Sequence, residues 1–194
     1  MTNDVPKNRL PLFCVITLTC LVADLWSKSA VFESLGLTNG TDWLLDGWVR
    51  FRFFTSLNEG ALWGMGQGFA WVFALLSVAA FAGIIYWLFV KKAAESMWLT
   101  ISLASVSGGT LGNLYDRLAL HGVTRPGQTE PAQAVRDFFH FQFGSFDWAI
   151  FNVADICLVT GAIMLMLQSI MMPSENGAVD AKSDAAIPKP KSAS

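Results

Sequence analysis

Charged residues are scarce in this chain. Asp, Glu, Lys and Arg make up 14% of the 194 residues, whereas 53% are hydrophobic and the mean hydropathy is +0.45. Water-soluble domains carry about 25% charged residues. The composition therefore excludes an ordinary soluble domain and indicates an integral membrane protein. The net charge is -2, and the chain has no basic patch that would predict nucleic-acid binding.

Cysteine is also scarce. Cys14, Cys20 and Cys157 are odd in number, lie inside apolar runs and lack the spacing of metal ligands. We interpret them as small packed residues, and we expect no metal and no cofactor. The apolar run continues beyond Cys20, which argues against a lipoprotein signal cleaved before that residue.

In contrast to these scarce residues, the chain contains long apolar runs. Each covers roughly 20 residues, the length that crosses a hydrocarbon core about 30 Å thick. We predict an all-α membrane protein in one domain, residues 1–172, followed by a disordered cytoplasmic tail, 173–194. Four transmembrane helices are predicted at residues 11–32, 69–90, 97–118 and 148–172, with outer connections at 33–68 and 119–147. Lys91 and Lys92 lie between the second and third helices, so the positive-inside rule predicts cytoplasmic termini.

Both outer connections contain a short stretch of alternating residues. Apolar and polar side chains alternate from Val49 to Phe53 and again from Phe139 to Phe143. This period of two is typical of a strand with one apolar face. We expect the two stretches to pair into a small antiparallel sheet on the periplasmic membrane surface; an irregular aromatic loop is the alternative.

Ionisable residues inside the predicted helices are candidates for a functional site. Asp24 and Lys28 belong to the first helix, Asp116 and Arg117 to the third, and Asp155 to the fourth. A charge in a spanning helix costs several kcal/mol and needs a partner. At about 1.5 Å per residue, all five lie in the outer half of the membrane. The sequence therefore predicts one polar site at the outer leaflet.

Two aspartates on different helices indicate a specific chemistry. If Asp116 and Asp155 lie close together, they share a proton, and one acts as general base while the other acts as acid. Such a pair activates water to attack a peptide carbonyl. The alternative is purely structural: Asp116 pairs with Arg117, Asp24 pairs with Lys28, and Asp155 is a contact between helices.

Two other functions are alternatives to a protease. A small ion- or proton-coupled transporter would carry polar residues along a path through both leaflets. The inner halves of the predicted helices are almost purely apolar, which argues against such a path. A non-catalytic assembly protein would tolerate the loss of both aspartates.

The motifs, taken in order, resemble those of the bacterial lipoprotein signal peptidases, also called signal peptidase II. The match covers the four predicted helices and both outer connections. The motifs are Asp24-x-x-x-Lys28, Asn58-x-Gly60-Ala61, Gly108-Gly109-x-x-Gly112-Asn113-x-x-Asp116-Arg117 and Phe151-Asn152-x-Ala154-Asp155.

The resemblance implies an intramembrane aspartic endopeptidase of the bacterial inner membrane, inhibited by globomycin. It would cleave prolipoproteins just before a diacylglyceryl-modified cysteine. Its partners would be these substrates and membrane lipids, and we expect a monomer. Asp116 and Asp155 would be the catalytic pair. The residues that would bind substrate or support the site are Asp24, Lys28, Asn58, Gly60, Gly108, Asn113, Arg117, Asn152 and Ala154.

Two further features stay open at this point. Gly108, Gly109 and Gly112 follow the spacing of small residues at helix contacts, and we favour close packing over substrate contact for them. Residues 121–134 form a polar loop that looks longer than the usual link of this family. We favour a neutral insertion over a lid.

Overall fold

A computed structural model of the chain describes residues 5–60, Gly66 and 68–171. The predicted tail, 173–194, lies outside the described residues. The helices are α1 (Arg9–Leu35), α2 (Ala70–Ile85), α3 (Met97–Arg117) and α4 (Val153–Met171), and a π-helical turn, Tyr86–Val90, continues α2. The strands are β1 (Val49–Asn58), β2 (Val135–Phe143) and β3 (Phe146–Asp147).

Within the described residues, three helices are long and apolar enough to cross a membrane. They are α1, α2 together with its π-helical continuation, and α4. Helix α3 has 21 residues, but it carries Asn113, Asp116 and Arg117 near its C-terminal end. It packs against α1, α2 and α4, so protein surrounds most of its polar residues. A polar helix is tolerated in such a position because its partners are side chains rather than lipid.

Glycines let α3 approach its neighbours closely. A Cβ on Gly108 would lie 2.8 Å from the carbonyl oxygen of Thr17 in α1, and one on Gly109 would lie 2.9 Å from Leu158 in α4. Real Cβ atoms do not make contacts this short. Gly112 likewise leaves room for the Asp24 carboxylate. The prediction of close helix packing at these glycines is confirmed.

The three strands form one antiparallel sheet in the order β1-β2-β3. Phe51 lies opposite Phe141, and Phe53 lies opposite Phe139, so the phenylalanines share one face. The predicted pairing is confirmed, but both strands are longer than the alternating stretches. β2 begins four residues earlier, at Val135, beyond an irregularity in the register.

Helix α4 begins later than predicted. The sequence predicted a helix from residue 148, but the first helical residue is Val153. The backbone of Phe151 instead exchanges hydrogen bonds with Phe139 in β2. Asn152 then caps the helix, because its side-chain oxygen accepts from the N–H of Asp155. The apolar stretch before Asn152 therefore extends the sheet rather than the helix.

The long connection between α3 and β2 makes contacts within itself and with the residue that follows β1. His121 accepts a hydrogen bond from the N–H of Val123, and Thr124 forms a bridge with Pro131. Arg125 makes an ion pair with Glu59 just after β1, at 2.6 Å. The interpretation of this loop as a neutral insertion stays a prediction.

Candidate active site

Asp155 is held at the start of α4 by a reciprocal cap. Its Oδ2 accepts from the N–H of Asn152 at 3.1 Å, while its own N–H donates to Oδ1 of Asn152 at 3.1 Å. This is the geometry of a capping box. Oδ1 of Asp155 also accepts from the amide of Asn113 at 3.0 Å. The positive end of the helix favours a negative charge at this position.

A second carboxylate, Asp137 in β2, faces the same place. Its side chain shares the sheet face of Phe139 because side chains alternate along a strand. Oδ1 accepts from the amide of Asn152 at 2.6 Å, and Oδ2 accepts from that of Asn58 at 3.1 Å. Only 2% of Asp137 is exposed. Burial, followed by the charge of Asp155, raises the pKa of Asp137 to about 7.

Asn152 and Asn113 connect the two carboxylates. Asn152 contacts Asp155 through its backbone N–H and Asp137 through its side-chain amide. The same amide donates to Oδ1 of Asn113 at 3.2 Å, and Asn113 in turn donates to Asp155. All four polar side chains are thus fixed relative to one another. This fixes two carboxyl groups from different elements in one hydrogen-bonded network.

Both carboxylates line a cavity of about 670 Å³. Its wall is mostly apolar, with a few convergent polar groups, which is typical of a ligand site. Arg117 of α3 and Ser77 of α2 contribute to the wall, and the rest of α4 near Asp155 supplies Ile156, Leu158, Val159 and Thr160. The remaining lining residues are Asn58, Gly60, Thr110, Asn113, Val135, Trp148, Ile150 and Phe151.

Asp116, the other predicted catalytic residue, lies in a different environment. It is fully buried and does not line the described cavity. Its Oδ2 accepts from the N–H of Arg136 at 2.9 Å and lies 3.1 Å from Nζ of Lys28. Its Oδ1 accepts from the guanidinium of Arg136 at 3.1 and 3.0 Å. Two cations therefore hold both carboxylate oxygens, and the link to Asp155 runs through Lys28 and Asn113.

Of the other predicted site residues, Arg117 and Gly60 line the cavity, whereas Asp24 and Lys28 are not among its lining residues. Lys28 lies 2.7 Å from Oδ2 of Asp24, as the structural alternative proposed, and Asp24 accepts from the N–H of Ala154 at 2.8 Å. Arg117 pairs differently from that alternative. It donates to the carbonyl of Gly60 at 3.4 Å and lies over the Phe73 ring. The site therefore joins α1, α3 and α4 with the end of β1.

Asp137 and Arg136 were not among the predicted site residues. The predicted acids all lie inside the apolar runs, whereas Asp137 belongs to an outer connection. A signal was present, because Asp137 stands two residues before the alternating stretch that starts at Phe139. Continuing the period of two backwards places Asp137 on the phenylalanine face.

The fold and this site define a multi-pass membrane protein with two carboxyl groups at one cavity. Residues 16–171 match the family model described as signal peptidase (SPase) II, so the chain belongs to that family. The resemblance seen in the motifs is confirmed.

Individual relatives agree with this assignment. The chain is 45% identical to a lipoprotein signal peptidase of Rhodopirellula baltica over 168 residues, which cover 84% of this chain and 74% of that protein. It is 32% identical to one of Bacillus pumilus over 160 residues, 82% of this chain and 92% of that protein. A solved structure of a bacterial membrane enzyme is similar in fold, with a TM-score of 0.70 at 20% identity, covering 85% of this chain and 91% of that one.

Proposed function

We propose that this signal peptidase II is an intramembrane aspartic endopeptidase in which Asp137 and Asp155 are the catalytic pair. As a family member the chain is a peptidase that cleaves the signal peptides of prolipoproteins. The observation that carries the proposed pair is the shared cavity, which both carboxyl groups line. This pair replaces Asp116 and Asp155, because the two oxygens of Asp116 are already bound by Arg136 and Lys28.

The two carboxyl groups divide the chemistry by their environments. Asp137 is buried with its pKa raised to about 7, so about half of the molecules carry its proton at neutral pH. Asp155 lies at a helix N-terminus, where a negative charge is favoured. Asp155 then removes a proton from a water molecule as that water attacks the scissile carbonyl, and Asp137 donates a hydrogen bond to the carbonyl oxygen. The proton taken by Asp155 passes to the leaving amine when the intermediate collapses.

Asn113 and Asn152 hold the two carboxyl groups in a fixed orientation. Each donates an amide hydrogen to a different carboxylate, so neither carboxylate rotates freely away from the water. Holding the reacting groups in place contributes to the rate because little orientation is lost on the way to the transition state.

The substrate enters from the lipid in this proposal. Ser77 of α2 and Val159 of α4 both line the cavity, and its lining is largely apolar. All four helices span the membrane, both termini are cytoplasmic, and the sheet rests on the periplasmic surface of the inner membrane. The diacylglyceryl chains then lie between helices while the peptide lies under the sheet. Cleavage falls just before the lipidated cysteine.

Purified protein in detergent, given a prolipoprotein peptide with and without its diacylglyceryl group, tests this function. The products are identified by mass spectrometry. We expect one cut, immediately before the modified cysteine, and a much slower reaction with the unmodified peptide. Cleavage at another bond, or equal rates with both peptides, would overturn the proposed specificity. No cleavage by correctly folded protein would overturn the function.

A further inference from the structure

Arg136 is a buried arginine that the proposed mechanism does not use. Only 3% of it is exposed. Its Nε and Nη2 lie 3.1 and 3.0 Å from Oδ1 of Asp116, and its backbone N–H donates to Oδ2 of the same carboxylate at 2.9 Å. Its Nη1 donates to Oγ of Ser29 in α1 at 3.3 Å. One residue of β2 thus binds two helices at once.

The charges around Arg136 balance only when it is present. Asp24, Lys28 and Asp116 are fully buried and carry one positive and two negative charges between them. Arg136 supplies the second positive charge. An unbalanced buried charge is costly, whereas a hydrogen-bonded and neutral cluster is tolerated. Arg136 and the cluster therefore stabilise each other.

Because Arg136 is fixed, the geometry of the strand also restricts where the side chain of Asp137 points. Successive side chains of a strand point to opposite faces. With Arg136 fixed towards α1 and α3, Asp137 has to point the other way, towards the cavity that it lines. Both the backbone N–H and the side chain of Arg136 are bound, so this part of β2 can neither slide nor rotate without breaking contacts to Asp116.

We propose that Arg136 is a positioning residue, which acts through Asp116 to set the place of Asp137 in the catalytic pair. This inference rests on the proposed role of Asp137. Arg136 does not line the described cavity, so its contribution belongs to the chemical step and not to substrate binding. An arginine is needed because its fork reaches Asp116 and Ser29 together, which the single ammonium of a lysine does not do.

Steady-state cleavage by Arg136→Gln and Arg136→Lys tests the proposal. We expect kcat to fall about 10- to 100-fold in Arg136→Gln, the effect of moving a reacting group by about 1 Å, with KM nearly unchanged. Arg136→Lys should recover part of the loss. Arg50→Gln is the matched control, because Arg50 pairs with Asp46 on the exposed part of the sheet and should keep wild-type kinetics.

A double variant separates positioning from charge burial. Asp116→Asn combined with Arg136→Gln leaves Asp24 and Lys28 balanced, so we expect it to be more stable than Arg136→Gln alone. Its kcat should stay low, because the clamp on β2 is still missing. A folded variant lacking Arg136 that keeps wild-type kcat, or that loses activity only through KM, overturns the inference. If Asp137→Asn itself stays active, the proposed catalytic pair fails instead.

Discussion

Two neighbouring residues of β2, Arg136 and Asp137, lie in opposite environments. Arg136 is bound into an ion cluster with Asp116, whereas Asp137 faces the cavity with its pKa raised to about 7. Asp116 also has two cationic partners, but Asp137 is held by the neutral amides of Asn58 and Asn152. A buried carboxyl group that shares a cavity with a second acid and accepts its hydrogen bonds from neutral amides is suited to holding a proton.

Asp137→Asn should change how stability depends on pH. The folded protein holds the proton of Asp137 up to about pH 7, whereas an unfolded aspartate releases it near 3.8. Burial of this group is therefore best tolerated below pH 3.8, and stability is lost as pH rises towards 7. The interval from 3.8 to about 7 covers roughly 3 pH units, and at about 1.4 kcal/mol per unit the loss is roughly 4 kcal/mol. Thermal unfolding of wild type and Asp137→Asn across this range should show the variant gaining relative stability with pH.

Asp46→Asn is the control for that titration, because Asp46 is exposed and pairs with Arg50 at the surface. Its unfolding curve should run parallel to that of wild type between pH 4 and pH 7. Parallel curves for Asp137→Asn as well would show that this carboxyl group is not held protonated in the folded state.

Asp116→Asn should destabilise the protein strongly. The substitution leaves Lys28 and Arg136 with Asp24 as the remaining acid of the cluster, so one positive charge is unbalanced in a fully buried place. Breaking a buried pair in this way costs about 3 to 5 kcal/mol. A large fall in the thermal midpoint in detergent is the expected result. A midpoint equal to that of wild type would contradict the structural role of Asp116.

The residues of the site were only partly predictable. Asp155, Asn113 and Asn152 stand out in the sequence because polar side chains are rare within apolar runs. Asp137 does not, because its burial depends on the pairing of β1 with β2 across an irregular register. Alternation alone carries no information about such a long-range contact. For the same reason, the contact of Asp116 with Arg136 was not predicted: the sequence indicated Asp155 as the partner of Asp116, with Arg117 as its partner in the structural alternative.

At the scale of elements, the close approach of α3 to α4 depends on Gly109. A Cβ there would lie 2.9 Å from Leu158 Cγ and 3.2 Å from the backbone carbon of Ala154. Backbone cannot yield as a flexible side chain does, so Gly109→Ala should cost about 1 to 3 kcal/mol. Gly83→Ala in α2 is the matched control, since no described atom lies within 4 Å of its Cβ.

The change in stability should therefore have opposite signs in the two glycine variants. Alanine is a better helix former than glycine by about 1 kcal/mol, so Gly83→Ala should be neutral or slightly stabilising. Thermal midpoints of both variants, measured in the same detergent, check this. Equal midpoints would mean that α3 and α4 are not packed through Gly109.

Elements were the most predictable level of this fold. Apolar runs of about 20 residues indicate helices, and alternating stretches indicate strands. Helices and strands are found in these parts of the chain. The predicted start of α4 was wrong because the apolar residues 148–151 are compatible with either a helix or a strand. The capping pattern of Asn152 and Asp155, three residues apart, was the signal that distinguishes them.

For the whole molecule, the arrangement of helices around α3 could not be read from the sequence. Its periodicity shows which residues are apolar, but not which helix each of them contacts. The direction in which each helix crosses the membrane can, in contrast, be predicted from the sequence, because it follows from chain direction and from the positions of basic residues. The proposed four-span arrangement would place the connection at Lys91 and Lys92 inside the cell and the loop at 121–134 outside.

Cysteine labelling tests this topology. In a variant without Cys14, Cys20 and Cys157, a new cysteine at Gly127 should react with a membrane-impermeant maleimide added to cells with a permeabilised outer membrane. A cysteine at Lys92 should react only after the inner membrane is disrupted. Labelling of both positions from outside would contradict a four-span arrangement with cytoplasmic termini.

The catalytic pair is tested most directly by cleavage of a diacylglyceryl-modified prolipoprotein with Asp137→Asn and Asp155→Asn, each shown by thermal unfolding to be folded. Removing a general acid or base costs about 10²- to 10⁴-fold in rate. We expect both variants to lose at least about 100-fold in kcat while they remain folded. If folded Asp137→Asn cleaves at the wild-type rate, Asp137 is not a member of the pair and the proposed mechanism is wrong.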